Sequence, residues 1–234
     1  MYYPRIKFLI DQKADAISAL GFLARRKNDH DFLNSFFPDH IQFILQDFNK
    51  KEVGKIIRAY TKTIFRKRGT RIKERVNEIV KQWSKKGKTF FRLTGRIFKG
   101  FPWPKGKYVA YASVFYMFPR NVNRKYFFFP YEKKWGFDPI KTISHEMLHF
   151  IFFAYLKERY GLKKSSKIPG KPTNYLWQIS EALNSVIQDW KPYHKEMVEI
   201  NHPPYKGTEK LVRKMKKIWE KTEDVDEVLK AVLK

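Results

Sequence analysis

The chain has 234 residues and a formal net charge of +26, from 49 Lys and Arg against 23 Asp and Glu. Hydrophobic residues make up 43% and aromatic residues 17%, which excludes a disordered chain and suffices for one large or two small cored domains. The absence of Cys excludes disulfides and thiolate metal sites, and no apolar run reaches the length of a membrane span. No apolar segment of signal-peptide type follows Met1–Arg5, so the expectation is a cytoplasmic protein.

In chain order, Ile6 to Ile10 reads as a short strand. From Lys13 to Asn49 apolar residues recur at helical spacing, with Pro38 as a break and Asp39 near the start of the next helix. Lys51 to Trp83 reads as one or two further helices, interrupted near Gly69. The run Lys85-Lys86-Gly87-Lys88 marks the expected boundary, so residues 1–85 form an α-helical N-terminal unit and residues 86–234 a second domain. Thr89 to Phe98 and Lys107 to Phe118 are rich in aromatic and β-branched residues and read as strands, with Phe101-Pro102-Trp103-Pro104 as an extended connector. Arg120 to Asn123 then turns the chain into Tyr126 to Pro130, which suggests a hairpin.

Asp138-Pro139 opens the next helix, with Asp138 as N-cap and Pro139 in the first turn. That helix carries Ile143-Ser144-His145-Glu146-Met147-Leu148-His149-Phe150, a His-Glu-x-x-His pattern inside a long apolar segment. Positions i and i+4 of a helix lie one above the other, so His145 and His149 can offer two imidazole nitrogens to one metal ion. Glu146 projects beside that face, where it reaches a water rather than the metal. The helix is apolar nearly all round and is therefore expected to be buried. Two His and a Glu buried there without partners would cost several kcal/mol, roughly, and a metal offsets that.

A catalytic zinc site holds three protein ligands and leaves one position open. Glu158, at the polar end of the same helix, cannot fold back. Glu181 lies in a second helical pattern, Tyr175 to Trp190, whose apolar stripe is Leu176, Ile179, Leu183, Val186 and Ile187. The Lys-, Ser-, Gly- and Pro-rich stretch Gly161 to Thr173 allows the two helices to run antiparallel. Glu181 facing the His pair would complete a His, His, Glu site.

This order, His-Glu-x-x-His on one helix and a Glu on the next, resembles the gluzincin branch of the zincin metallopeptidases, and the minigluzincin and peptidase-MA-like proteins in scale. The resemblance covers roughly residues 88 to 205. It implies an α+β chain with a zincin-like catalytic domain, a small mixed or antiparallel sheet beside the two ligand helices. It also implies zinc at His145, His149 and Glu181, with Glu146 as general base. Many gluzincins carry an Asp four residues after the ligand Glu; here that position is Ser185, with Asn184 beside it. In zincins a sheet strand pairs with the extended substrate, and Tyr108 to Phe118 or Tyr126 to Phe129 would serve. The expected reaction is hydrolysis of a peptide or protein substrate by an internally cleaving zinc peptidase.

Past Trp190, the Pro-punctuated run Pro192 to Gly207 reads as a loop leaving the Glu helix near the metal. Metallopeptidases need a second electrophile to stabilise the oxyanion. Tyr193, His194, His202 and Tyr205 are candidates, and His202 and Tyr205 are the preferred pair. Thr208 to Lys234 reads as one or two amphipathic helices packed on the outside.

The charge is not explained by peptide hydrolysis. Residues 51–107 hold 19 Lys or Arg against 3 acidic residues, a stretch able to bind nucleic acid without sequence preference, or other anionic surfaces. The competing function is therefore a basic, nucleic-acid-associated protein with a structural or vestigial metal site. A structural zinc site needs a fourth protein ligand, and none is evident on a neighbouring element.

Overall fold

The computed structural model describes residues 3–25, 50–134, 136–197 and 204–234. Within them the chain is mixed α+β, with seven helices and a four-stranded sheet. It divides into two compact units, one of Met1–Pro4, Gln82–Gly106 and Ile143–Lys234, the other of Arg5–Lys81 and Lys107–Thr142. No helix among the described residues is long and apolar enough to cross a membrane.

The second unit holds the sheet. Strands β1 (Ile6–Leu9), β2 (Tyr108–Ser113), β3 (Arg120–Asn121) and β4 (Tyr126–Pro130) lie in the order β1-β2-β4-β3. β1 and β2 are parallel, with Ile6 opposite Tyr108, and β2 and β4 are parallel, with Val109 opposite Tyr126. Only β3 and β4 are antiparallel, with Arg120 opposite Phe127. The expected hairpin is thus confined to β3 and β4, where Asn121 Oδ1 accepts from the Arg124 N–H at 2.9 Å to close the turn. The longer strand of the pair was expected to be antiparallel as well; residues 114–125 instead carry the chain back for a parallel pairing, a connection of the length such a return requires.

Helix α1 (Gln12–Arg25) starts on Asp11, whose Oδ1 accepts from the Ala14 N–H at 2.9 Å. Its Ala16, Ala19 and Leu23 pack with Val53 and Ile57 of α2 (Lys50–Ile97) and with Phe115 and Met117. The expected continuation to Asn49, with the Pro38 break, lies outside the described residues.

Asp15 of α1 is buried beside the end of β2. Burial pushes its carboxyl up from 3.8 to about 7, against the opposing effect of hydrogen bonds from Ser113 and the Val114 N–H. Oδ1 lies 2.6 Å from Ser113 Oγ, and Oδ2 accepts from the Val114 N–H at 2.9 Å. A protonated Asp15 satisfies this cluster: its O–H donates to Ser113 Oγ, and the Ser113 hydroxyl donates to the Phe115 carbonyl at 2.9 Å. The folded state holds the proton more tightly than the unfolded chain. Asp15 therefore contributes stability that is full below about pH 4 and is lost as the pH rises to about 7. Denaturant titrations are expected to show a loss of up to about 1.4 kcal/mol per pH unit across that window. Asp15→Asn, whose amide reproduces the donor and acceptor of the neutral acid, should flatten the profile; an unchanged slope would remove Asp15 as its source.

Helix α2 is continuous over 48 residues, about 72 Å at 1.5 Å per residue. The break expected near Gly69 does not occur, and the run Lys85–Lys88 lies inside the helix. Flanking Lys, Arg and Glu residues are good helix formers, and an interior Gly costs only about 1 kcal/mol relative to Ala. A Cβ at Gly69 would meet nothing within 4 Å. Gly69→Ala is accordingly expected to raise stability by about 0.5–1 kcal/mol in chemical denaturation. At Gly87 a Cβ would stand 3.3 Å from the Trp83 indole nitrogen, so this glycine lets Trp83 lie against the helix.

Thr89 to Phe98, expected as a strand, is also helical except for its last residue. Phe90, Leu93, Thr94, Ile97 and Phe98 recur at i, i+3, i+4, i+7 and i+8, and all are buried. Trp83 packs on Phe90 at 5.4 Å and Phe90 on Trp103 at 5.9 Å. The helix stops where Lys99 and Gly100 adopt positive φ, and the Gly100 N–H donates to the Gly95 carbonyl.

The remaining helices are α3 (Pro139–Tyr160), α4 (Tyr175–Asp189), α5 (Lys191–Met197), α6 (Glu209–Thr222) and α7 (Val225–Leu233). Asp138 caps α3 as expected, accepting from the Lys141 N–H at 2.9 Å. The C-terminal helices are not an outer layer. α6 packs on both α4 and α7, and Met215, Trp219, Val228 and Leu229 are fully or nearly fully buried. Asp226 locks this part of the unit together. It accepts from the Tyr155 and Tyr160 hydroxyls at 2.7 and 2.9 Å and from Lys99 Nζ at 2.8 Å.

Candidate metal centre

The site lies within the unit that contains α4 to α7. Helix α3 supplies His145, Glu146 and His149, and α4 supplies Glu181. His149 is 0% exposed and Glu181 1%, while the His145 side chain retains 19%. Glu146 is also buried. Among the described residues, His145, His149 and Glu181 form a group whose donor atoms all lie within 4.8 Å of one another.

The separations test whether a metal fits. His145 Nε2 and His149 Nε2 are 3.1 Å apart. One Glu181 oxygen lies 3.2 Å from His145 Nε2, and the other lies 3.5 Å from His149 Nε2. Tetrahedral zinc, with bonds of about 2.0–2.1 Å to nitrogen and oxygen, separates neighbouring ligands by about 3.3–3.4 Å. The closest approaches among the three groups are of that size, and one donor atom from each lies within 4.8 Å of the other two, a set that a single metal can draw together. The partial exposure of His145 leaves the site a side toward solvent.

The residues around these donors are set by the turns of α4. Glu181, Asn184 and Gln188 stand at i, i+3 and i+7, one face of the helix. Asn184 Nδ2 donates to the His145 carbonyl at 3.1 Å and lies 3.1 Å from His149 Nε2. The Gln188 side-chain amide lies 3.2 Å from His145 Nδ1. An amide there fixes which way the imidazole faces, leaving Nε2 directed at Glu181 and His149. Ser185, four residues after Glu181, turns away, its Oγ donating to the Glu181 carbonyl at 3.1 Å. Gln188 was not singled out from the sequence, although its spacing from Glu181 was a readable signal.

The three described oxyanion candidates, Tyr193, His194 and Tyr205, have different surroundings. The run from Pro192 opens as helix α5 rather than as a loop. Within it Tyr193 is fully buried, and burial pushes its phenol far above the ordinary range. His194 Nδ1 lies 3.2 Å from the Gln188 carbonyl oxygen, close enough to donate to the end of α4. His202 falls outside the described residues. Tyr205 is 51% exposed, and its ring packs edge-on against Trp177 at 5.6 Å, one turn before Glu181. Glu158 is exposed at the end of α3, as its place in the sequence implies.

Comparisons of the chain with protein-family models, with curated proteins and with solved structures find no match.

Proposed function

We propose that the chain is a zinc-dependent peptidase of gluzincin-like design, acting on peptide bonds within a protein or peptide substrate. The observation that carries this reading is the convergence of His145, His149 and Glu181 donors at 3.1–3.5 Å, with Glu146 buried on the same helix. His145, His149 and Glu181 would hold the zinc. Bound there, zinc supplies Lewis acidity to the scissile carbonyl and brings the pKa of a water towards 7.

The chain's own residues do the rest. Glu146 accepts the proton of the attacking water and delivers it to the leaving amine. Gln188, on the His145 nitrogen away from the metal, orients that imidazole, whereas the Asn184 amide lies on His149 Nε2 itself and would give up that contact to zinc while keeping its bond to the His145 carbonyl. Tyr205, whose ring rests on that of Trp177, would supply an O–H for the developing oxyanion, and His202 would be its companion. The strands expected to pair with substrate, β2 and β4, are both interior to the sheet order β1-β2-β4-β3, with a neighbouring strand on each side, so no substrate strand is assigned to them.

Metal analysis of the purified protein tests the reading. The wild type should bind about one zinc per chain, and His149→Ala and Glu181→Ala should each lose it. Zinc retained in Glu181→Ala would move the third ligand elsewhere. No zinc in reconstituted wild type would overturn the peptidase.

A further inference from the structure

The N-terminal half of α2 carries one exposed row of cations. We propose that this row, Lys55, Arg58, Lys62, Arg66 and Lys73, binds the phosphodiester backbone of nucleic acid without base preference. All five are exposed and all lie in the sheet-containing unit. At 3.6 residues per turn they fall within about 80° of one another around the helix axis, and they run for about 27 Å along it. Val53, Ile57, Ile72 and Ile79 occupy the buried side.

The row is concentrated charge rather than a mixed ionic surface. From Lys55 to Lys73 there are eight Lys or Arg and no acidic residue. The other three are Lys67, Arg68 and Arg71. Arg71 is turned to Glu132 at 2.7 Å and Arg68 to the Tyr131 hydroxyl at 3.5 Å, so the nearby carboxylate is committed to the opposite side. Among the described residues no carboxylate pairs with Arg58, Lys62, Arg66 or Lys73. Lys55 alone has one nearby, Glu52 at 3.9 Å. Lys13 of α1 stands beside the row, lining a groove with Arg58 and Lys62.

Geometry selects the partner. A rigid helix holds successive cations about 4.5–10 Å apart along a straight line. Duplex DNA presents a phosphate every 3.4 Å per strand, so the row spans roughly eight base pairs and can neutralise about four or five phosphates. An interfacial membrane helix needs a broad apolar face turned to the lipid. Here Val53, Ile57, Ile72 and Ile79 of α2 are buried and Ile64 and Phe65 half-buried, and among the described residues Ile17, on α1, is the large apolar side chain strongly exposed beside the row.

The test is fluorescence anisotropy of the full chain with a labelled mixed-sequence duplex of about 20 base pairs, between about 50 and 200 mM salt. The wild type should bind with a log–log salt slope of about −4, with no preference between two unrelated sequences. Replacing Arg58, Lys62 and Arg66 together with Ala should shrink the slope by about 3 and weaken binding at least about 100-fold at low salt. Circular dichroism should remain that of the wild type. Lys210→Ala, Arg213→Ala and Lys217→Ala on α6, exposed and equal in charge change, should leave the slope within about 1 of wild type. Equal losses in both triple variants would show generic attraction by the net charge and overturn the row. Absence of duplex binding would also overturn it, as would row-dependent binding to phosphatidylserine vesicles in place of DNA. None of these outcomes depends on zinc, so the metal centre stands or falls separately.

Discussion

Replacing Glu146 with Gln is expected to lower peptide hydrolysis by about 10²–10⁴-fold while zinc remains bound, the usual range for removing a general base. Glu146 follows His145 on α3 and is buried, but it belongs to neither pair of ligand contacts made by Glu181. Gln keeps its size and hydrogen-bonding shape and removes only the capacity to take a proton. The loss should fall on kcat more than on KM, because the proton moves only as the transition state forms. A Gln variant as active as wild type, with a full complement of zinc, would sink the assignment of Glu146. A variant that lost zinc as well would mean that the carboxylate supports the metal rather than the proton transfer.

Zinc should also be a large part of the protein's stability. A ligand that binds only the folded state adds about 4 kcal/mol when present at about 1,000 times its dissociation constant. For a chain of this size that corresponds to a rise of roughly 8–16 °C in Tm. Thermal unfolding of metal-free wild type, followed with and without added zinc, reads this directly. His149→Ala should show little of the rise, since His149 is fully buried and, among the described residues, its loss leaves only His145 beside Glu181. A rise of similar size in His149→Ala would place the stabilising zinc at another site. The duplex-binding variants on α2 should keep the full rise, which separates the metal centre from the cation row.

The parts of the site that were readable in the sequence are those governed by local geometry. His145 and His149 share a face because a helix has a fixed turn, and the apolar residues from Ile143 to Leu156 already identified a buried helix. Asp138-Pro139 marked its start for an equally local reason, and the Asp138–Lys141 cap forms within one turn. Gln188 was legible by the same rule, seven residues after Glu181, but an amide carries no motif and attracts no notice without a partner in view. The helical pattern in Thr89 to Phe98 was legible too. Its run of aromatic residues suits a strand equally well, and what resolves it as helix is the shared burial of Phe90, Leu93, Ile97 and Phe98 on one side.

Sequence by itself determined what depends on neighbours a few residues apart: the His pair, the cap of α3, the stripe of α4 and the uninterrupted charge of Lys55 to Lys73. Tertiary structure decided what depends on partners far along the chain. It set the parallel pairing of β2 with β4, the burial of α6 and α7, and the split of the basic residues between Glu132 and open solvent. It also brought Glu181, 32 residues beyond His149 in the chain, to 3.5 Å from that imidazole. Local periodicity states which face of a helix is apolar, but not which other face it meets. That choice is made by packing the whole core at once, where dozens of weak contacts between distant residues select one arrangement.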